Sequence, residues 1–153
     1  MSDATDKVGE GTGCGKLILF GEHTVVYGAP AIVAGLPDGA RARARHTDAG
    51  ESTLRFPDQP EGSGDEEDRR SVDAAFRAMV AEFAPSLGGP VEVEAEIDVP
   101  VGVGLGSSAA LCAAVSRALA DLSGEESLVE EAVSAGEGVF HGNPSGIDQL
   151  AAL

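Results

Sequence analysis

Lysine and cysteine are scarce in this chain, and tryptophan is absent. Only two lysines, Lys7 and Lys16, occur among 153 residues, and 10 basic residues face 26 acidic ones, which gives a net charge of -16. A surface this acidic repels nucleic acid phosphates and anionic membranes, so neither is expected as a partner. The two cysteines, Cys14 and Cys112, form no CxxC pair, which excludes a zinc ribbon and a thioredoxin-like redox motif.

Long apolar segments are also missing. No uninterrupted apolar run approaches the ~20 residues of a membrane span, and residues 1–12 lack the apolar segment of a signal peptide. Apolar residues nevertheless make up 42% of the chain, which is enough for the packed core of one domain. The sequence therefore predicts a soluble cytoplasmic protein, with residues 1–13 as a flexible leader and one domain at 14–153.

Strand and helix patterns are interspersed along the chain. Four segments have the apolar patterns of β-strands: 17–20, 30–36, 41–46 and 91–99. Three have helical patterns: 71–87, 108–122 and 127–140. Ser71 is a candidate N-cap, Ser127 and Glu130 have the spacing of a capping box, and 59–68 reads as an acidic surface loop. This mixture predicts the α+β class rather than a doubly wound parallel sheet.

A glycine-rich loop at 100–110, PVGVGLGSSAA, carries the strongest chemical signal. Gly102, Gly104 and Gly106 remove side chains where a phosphate would need room, and the helix start that follows offers free N–H groups to an anion. The alternative is a glycine-rich turn with Ser107 as the N-cap. The spacing matches neither GxxxxGK[ST] nor GxGxxG, so a P-loop and a dinucleotide-binding loop are excluded.

Lys16 opens an apolar strand segment, and Glu22 and His23 follow the far end of that segment. A lysine beside a buried strand suggests a functional role in a chain with two lysines. The alternative is a lysine at a strand edge whose stem is buried while its amine reaches water.

The segment 137–148, EGVFHGNPSGID, combines acidic residues with a turn signal. Glu137 ends a predicted helix, Asn143 and Pro144 predict a turn, and a short following helix presents Asp148. In the alternative, Asp148 is a solvated helix residue. No HxxxH or HExxH spacing occurs, so a histidine metal site is not expected.

Three segments, in this order, resemble the GHMP family of small-molecule kinases and, within it, the mevalonate kinases. They are GKLILFGEHTVVYG at 15–28, PVGVGLGSSAA at 100–110 and EGVFHGNPSGID at 137–148. The resemblance implies an N-terminal domain like the second domain of ribosomal protein S5. It also implies ATP-dependent phosphorylation of mevalonate to 5-phosphomevalonate, with Mg²⁺ as the metal.

The resemblance further implies a role for each motif residue. The ATP phosphates would be held by Pro100, Gly102, Gly104, Leu105, Gly106, Ser107 and Ser108. Ser108 and Glu137 would bind Mg²⁺, and Asp148 would accept the proton of the mevalonate hydroxyl with Lys16 beside it. The mevalonate pocket would be lined by Glu22, His23 and His141.

The family's third motif, a glycine-rich stretch in a ferredoxin-like C-terminal domain, does not occur before the chain stops at Leu153. We therefore expect a truncated, N-terminal portion of a kinase that is inactive on its own. The alternatives are another GHMP kinase acting on a different small alcohol, or an inactive nucleotide-binding fragment. The expected partner chain is a second copy in a homodimer or a separate C-terminal half.

Overall fold

The computed structural model describes residues 7–24, 27–59, 64–142 and 147–153, and the side chains of Ile147 and Asp148 lie outside this description. The strands are β1 (Val8–Phe20), β2 (Ile32–His46), β3 (Thr53–Arg55) and β4 (Val91–Ile97). The helices are α1 (Glu66–Leu87), α2 (Ser107–Ser123), α3 (Val129–His141) and α4 (Ile147–Ala152), and a 3₁₀ turn, Glu126–Leu128, precedes α3. These elements confirm the α+β class.

The strands form one four-stranded sheet in the order β1-β2-β4-β3. β2 pairs antiparallel with both β1 and β4, while β3 joins the other edge of β4 in parallel. The segments predicted as separate strands at 30–36 and 41–46 belong to the single strand β2, and β3 was not predicted. The long hairpin of β1 and β2 therefore extends beyond the rest of the sheet, since β4 pairs only with residues 40–46 of β2.

The hydrophobic core lies between one face of this sheet and the helices. Ala40, Ala42 and Ala44 of β2 are buried, and so are the alternate residues Val91 and Val93 of β4. This arrangement follows the period-2 pattern of the sequence, because successive strand residues point to opposite faces. None of the described helices has the length and hydropathy that a membrane span needs.

The outer face of the sheet is charged. Arg41, Arg43 and Arg45 alternate with the buried alanines and face the glutamates of β4 and β1. The guanidinium of Arg45 lies 2.8 Å from the carboxylate of Glu92, and this hydrogen bond raises the pKa of Arg45 and lowers that of Glu92. The glutamates on the polar face of the 91–99 pattern thus pair with the arginines of the 41–46 pattern.

β1 begins at Val8, so the prediction of a flexible leader is wrong for residues 8–13. Gly9, Gly11 and Gly13 alternate along this strand and lie directly against the backbone of α2. The prediction failed because a run rich in glycine and polar residues looks like a loop until the helix that covers it is known. Residues 1–6 lie outside the described part of the chain.

Helix α1 begins at Glu66, one and a half turns before the predicted start, so Ser71 is not its N-cap. The side chain of Asp65 accepts a hydrogen bond from the backbone N–H of Asp68 at 2.8 Å and caps the helix. Three acidic residues occupy the first turn, where the helix dipole favours negative charge. The last three residues of the acidic loop predicted at 59–68 therefore belong to the first turn of α1. Residues 60–63 lie outside the described part of the chain.

Helix α3 also begins differently from its prediction. The 3₁₀ turn takes up Glu126–Leu128, and Leu128, which has no side-chain capping bond, stands at the N-cap position of α3. The capping box predicted for Ser127 and Glu130 is therefore wrong. A 3₁₀ turn satisfies some of the same backbone groups by tighter hydrogen bonds, so the side-chain cap is not needed.

Candidate active site

The loop between β4 and α2 turns on three glycines with left-handed backbone. The φ angles of Gly102, Gly104 and Gly106 are +80°, +80° and +71°, and in the described part of the chain only glycines have positive φ. Residues of alternating hand form concavities of backbone N–H groups that bind anions. The alternation along this loop therefore supports the phosphate-binding interpretation.

The loop has free space around Gly102 and Gly104, while Leu105 is hydrogen-bonded to β1. A Cβ added at Gly102 or Gly104 would meet no atom within 4 Å, whereas the carbonyl of Leu105 accepts a 2.9 Å hydrogen bond from the backbone N–H of Lys16. Gly106 occupies the N-cap position of α2, so Ser107 is not the N-cap that the alternative interpretation of the loop required. Because glycine has no side chain, the first N–H groups of α2 receive no side-chain cap and can bind an anion.

Lys16 lies beneath this loop. Its exposed fraction is 6%, so the alternative of a lysine that reaches water from a strand edge is wrong. A Cβ added at Gly106 would come within 2.7 Å of Lys16 Cγ and 3.2 Å of Lys16 Cε. The lysine stem therefore runs directly under the last glycine of the loop and brings its amine close to the start of α2.

We expect Gly106→Ala to lower the free energy of unfolding more than Gly88→Ala. Both glycines are left-handed, with φ of +71° and +70°, so backbone strain should cost each variant about 1–2 kcal/mol. Gly88 has no atom within 4 Å of an added Cβ, whereas Gly106 has the buried stem of Lys16, which should add about 1–3 kcal/mol. Urea unfolding of both variants measures the difference, and equal losses would contradict the contact with Lys16.

Ser108, Glu137 and His141 meet where α2 and α3 face each other. The Nε2 atom of His141 lies 3.2 Å from Ser108 Oγ and 3.9 Å from Glu137 Oε2. The Glu137 side chain is fully buried, while the His141 side chain is 49% exposed. The two residues predicted to bind metal, Ser108 and Glu137, thus both lie close to Nε2 of His141, a residue that was predicted to line the substrate pocket.

Cys112 is a neighbour of this cluster that the sequence did not single out. It is fully buried in α2, and a Cβ added at Gly136 of α3 would lie 2.8 Å from its Sγ atom. Burial, followed by the charge and hydrogen bonding of Glu137, raises the pKa of the Cys112 thiol. The available sequence signal was its position four residues after Ser108, which places both side chains on one face of α2.

Helix α4, whose backbone includes Asp148, lies against the hairpin of β1 and β2, and Lys16 belongs to β1. Gly35 pairs with Lys16 across the hairpin, and a Cβ added there would lie 3.7 Å from the carbonyl oxygen of Ala151. Arg117 of α2 donates hydrogen bonds to the carbonyls of Thr12, at 2.8 Å, and Leu153, which links β1 to the end of α4. The side chain of Asp148 and the predicted turn at Asn143 and Pro144 lie outside the description.

Glu22 and His23 lie exposed in the turn that follows β1. The N–H of Thr24 closes this turn by donating to the carbonyl of Gly21, whose φ is +90°. The structure thus places them past the end of the strand that holds Lys16, while His141 lies with Ser108 and Glu137. A role in binding mevalonate stays a prediction for all three predicted pocket residues.

The donor set of the cluster fits Mg²⁺. This ion prefers oxygen ligands, keeps several waters and is usually bound by one or two carboxylates together with substrate phosphates. Ser108 and Glu137 supply a hydroxyl and a buried carboxylate beside the candidate phosphate loop. No group of three or more His, Cys, Asp or Glu is placed to hold a metal within the described ranges, and a site completed by phosphates and water does not need one.

The chain belongs to the GHMP kinase family. Residues 71–153, more than half of the chain, match the family described as GHMP kinases N terminal domain. The matched residues, which include α2 and the candidate metal ligands, thus belong to the N-terminal domain of this family. No curated protein sequence matches the chain.

Solved structures resemble the chain along nearly its whole length. The L. major mevalonate kinase in complex with R-mevalonate superposes with a TM-score of 0.76 at 31% identity, over 97% of this chain and 47% of that one. The mevalonate kinase of Staphylococcus aureus MRSA252 gives 0.70 at 29% identity, over 95% and 50%. The Lactococcus lactis galactokinase complexed with galactose gives 0.74 at 22% identity, over 96% and 42%, which shows the shared fold alone. The chain thus spans about half the length of these solved relatives.

Proposed function

We propose that this chain forms the Mg²⁺·ATP-binding half of a mevalonate kinase, which transfers the γ-phosphate of ATP to the hydroxyl of mevalonate. The observation that carries the proposal is the position of Lys16, buried directly beneath Gly106 at the start of α2. A buried cation under an open glycine loop is suited to neutralise phosphate oxygens. At the same end of α2, Ser108, together with Glu137 of α3, supplies oxygen ligands of the kind that Mg²⁺ prefers.

Phosphoryl transfer requires mainly that the reactants be positioned and that the phosphate charge be neutralised. Different residues of the site perform these two tasks. The loop from Pro100 to Ser108 holds the ATP phosphates by backbone N–H groups. Ser108 and Glu137 would hold Mg²⁺, which would supply neutralisation of the phosphate charge. The oxygen of the mevalonate hydroxyl bonds to the γ-phosphorus, the bond from that phosphorus to the bridging oxygen breaks, and ADP leaves. The hydroxyl proton passes to the carboxylate of Asp148.

We choose mevalonate as the proposed substrate because the segments 15–28 and 137–148, which contain Glu22, His23 and His141, resemble the corresponding segments of the mevalonate kinases. The two mevalonate kinases above are also more similar in sequence, at 31% and 29% identity, than the galactokinase at 22%. Glu22 and His23 are exposed in the turn after the strand that carries Lys16, and their assignment to the mevalonate pocket rests on the sequence resemblance.

Ser108→Ala and Glu137→Gln are each expected to raise the Mg²⁺ concentration for half-maximal binding of a fluorescent ATP analogue by at least about tenfold. Loss of groups that merely orient metal ligands already costs about 10–100-fold in affinity. Ser127→Ala and Glu130→Gln make the same chemical changes at exposed positions before and within α3, and they should leave binding unchanged. An unaltered Mg²⁺ dependence in both site variants would remove the metal assignment.

The substrate is tested by ADP release from the protein as its gene encodes it, with R-mevalonate, galactose and homoserine supplied separately. Mevalonate alone is expected to stimulate release. Stimulation by galactose or homoserine but not by mevalonate would overturn the substrate. If none of the three stimulates release, mevalonate is overturned as the substrate, and a kinase of another small alcohol or an inactive nucleotide-binding protein takes its place.

A further inference from the structure

Two pairs of side chains face each other across the contact between α2 and α3. Ser108 and Cys112 are four residues apart on α2, and Glu137 and His141 are four residues apart on α3. Residues with this spacing share a helix face one turn apart. Ser108 Oγ lies 3.2 Å from Nε2 of His141, and this contact joins the start of α2 to the end of α3. One turn further into the contact, Cys112 of α2 therefore lies level with Glu137 of α3.

The deeper pair is completely buried. Both Cys112 and Glu137 have exposed fractions of 0%. The sulfur of Cys112 packs so closely on α3 that only glycine fits at position 136, since a Cβ there would lie 2.8 Å from Sγ. The thiol is thus held against the turn of α3 that carries the Glu137 side chain, on the side away from solvent.

We propose that Cys112 is a positioning residue, whose thiol donates a hydrogen bond to the Glu137 carboxylate and thereby directs that carboxylate toward the metal. The proposal rests on the function proposed above, in which Glu137 is a Mg²⁺ ligand. A buried carboxylate needs hydrogen-bond donors, and groups behind a metal ligand fix its orientation. The Glu137 Oε2 atom lies on the side of His141 and Ser108, which is where the metal would bind.

The chain offers a matched pair of variants. Cys112→Ser keeps a donor and Cys112→Ala removes it, while both replace sulfur by a smaller group. Mn²⁺, which electron paramagnetic resonance detects, serves as the probe ion in the presence of ADP and purified protein. Cys112→Ala is expected to weaken Mn²⁺ binding about tenfold, as loss of outer-shell partners of metal ligands commonly does. Cys112→Ser should retain most of the affinity.

Two further variants control for damage to the core. Ser116→Ala removes another fully buried polar group one turn further along α2, where the hydroxyl makes no hydrogen bond within the described residues, and it should leave Mn²⁺ binding unchanged. The melting temperatures of the alanine and serine variants at position 112 should be similar, since both lose the same sulfur contacts. A difference in Mn²⁺ affinity at equal stability then reports the donor.

The outcomes separate this inference from the function on which it rests. If Glu137→Gln does not weaken Mn²⁺ binding, the metal site itself is wrong, and this inference is overturned with it. If Glu137→Gln weakens binding but Cys112→Ala does not, the metal site stands and Cys112 has no part in it. Equal losses in Cys112→Ala and Cys112→Ser would show that the sulfur acts by volume, which also overturns the inference.

Discussion

Replacing Asp148 by asparagine in the kinase is expected to lower kcat by about 10²–10⁴-fold, the usual contribution of a general base. Asparagine keeps the shape of the side chain but cannot accept the hydroxyl proton. The KM for ATP should change little, because the proposed role of Asp148 concerns the transferred proton and not the nucleotide. Steady-state kinetics with R-mevalonate and ATP measure both constants.

The fold supports this expectation through α4 and β1. Gly35 lies opposite Lys16 in the hairpin and close to Ala151 of α4, so the helix that carries Asp148 runs beside the strand that carries Lys16. Asp58→Asn is the matched control, because Asp58 is exposed in the turn after β3, at the sheet edge opposite β1. A near-normal kcat in Asp148→Asn would remove Asp148 from the mechanism.

Gly11→Ala is expected to cost about 3 kcal/mol or more in the free energy of unfolding, at the upper end of overpacking effects. A Cβ at Gly11 would lie 2.1 Å from the carbonyl oxygen of Ala114 and 2.4 Å from the amide nitrogen of Ala118. These are backbone atoms of α2 and cannot rotate away, so β1 and α2 would have to separate. Urea unfolding followed by circular dichroism measures the loss.

Gly50→Ala is the control for this substitution, because nothing lies within 4 Å of a Cβ at Gly50. It should change the free energy of unfolding by no more than about 0.5 kcal/mol, which is typical of surface sites. Comparing the two variants also removes the effect of glycine on the unfolded chain, which is common to both. Equal stability of Gly11→Ala and Gly50→Ala would show that β1 does not lie against α2 as described.

Local patterns predicted the elements whose residues carry their own signal. The alternation at 91–99 predicted β4 and its buried face, because a strand with one buried face must repeat every second residue. The alanine-rich segment predicted α2 within one residue at each end. The glycine loop was recognised because three glycines before a predicted helix leave room for a phosphate. The structure adds that Gly102 and Gly104 have φ angles near +80°, which glycine adopts readily.

The sequence by itself determined the α+β class, the glycine-rich loop at 100–110 and the motif residues of a GHMP kinase. These features depend on the periodicity of apolar residues and on particular residue types at fixed spacings along the chain. Only the tertiary structure decided that residues 8–13 form a strand, because glycines at 9, 11 and 13 acquire meaning from the helix that covers them. It also decided the burial of Lys16 and the contacts of Cys112, since both depend on segments about ninety and twenty-four residues away whose approach no local pattern records.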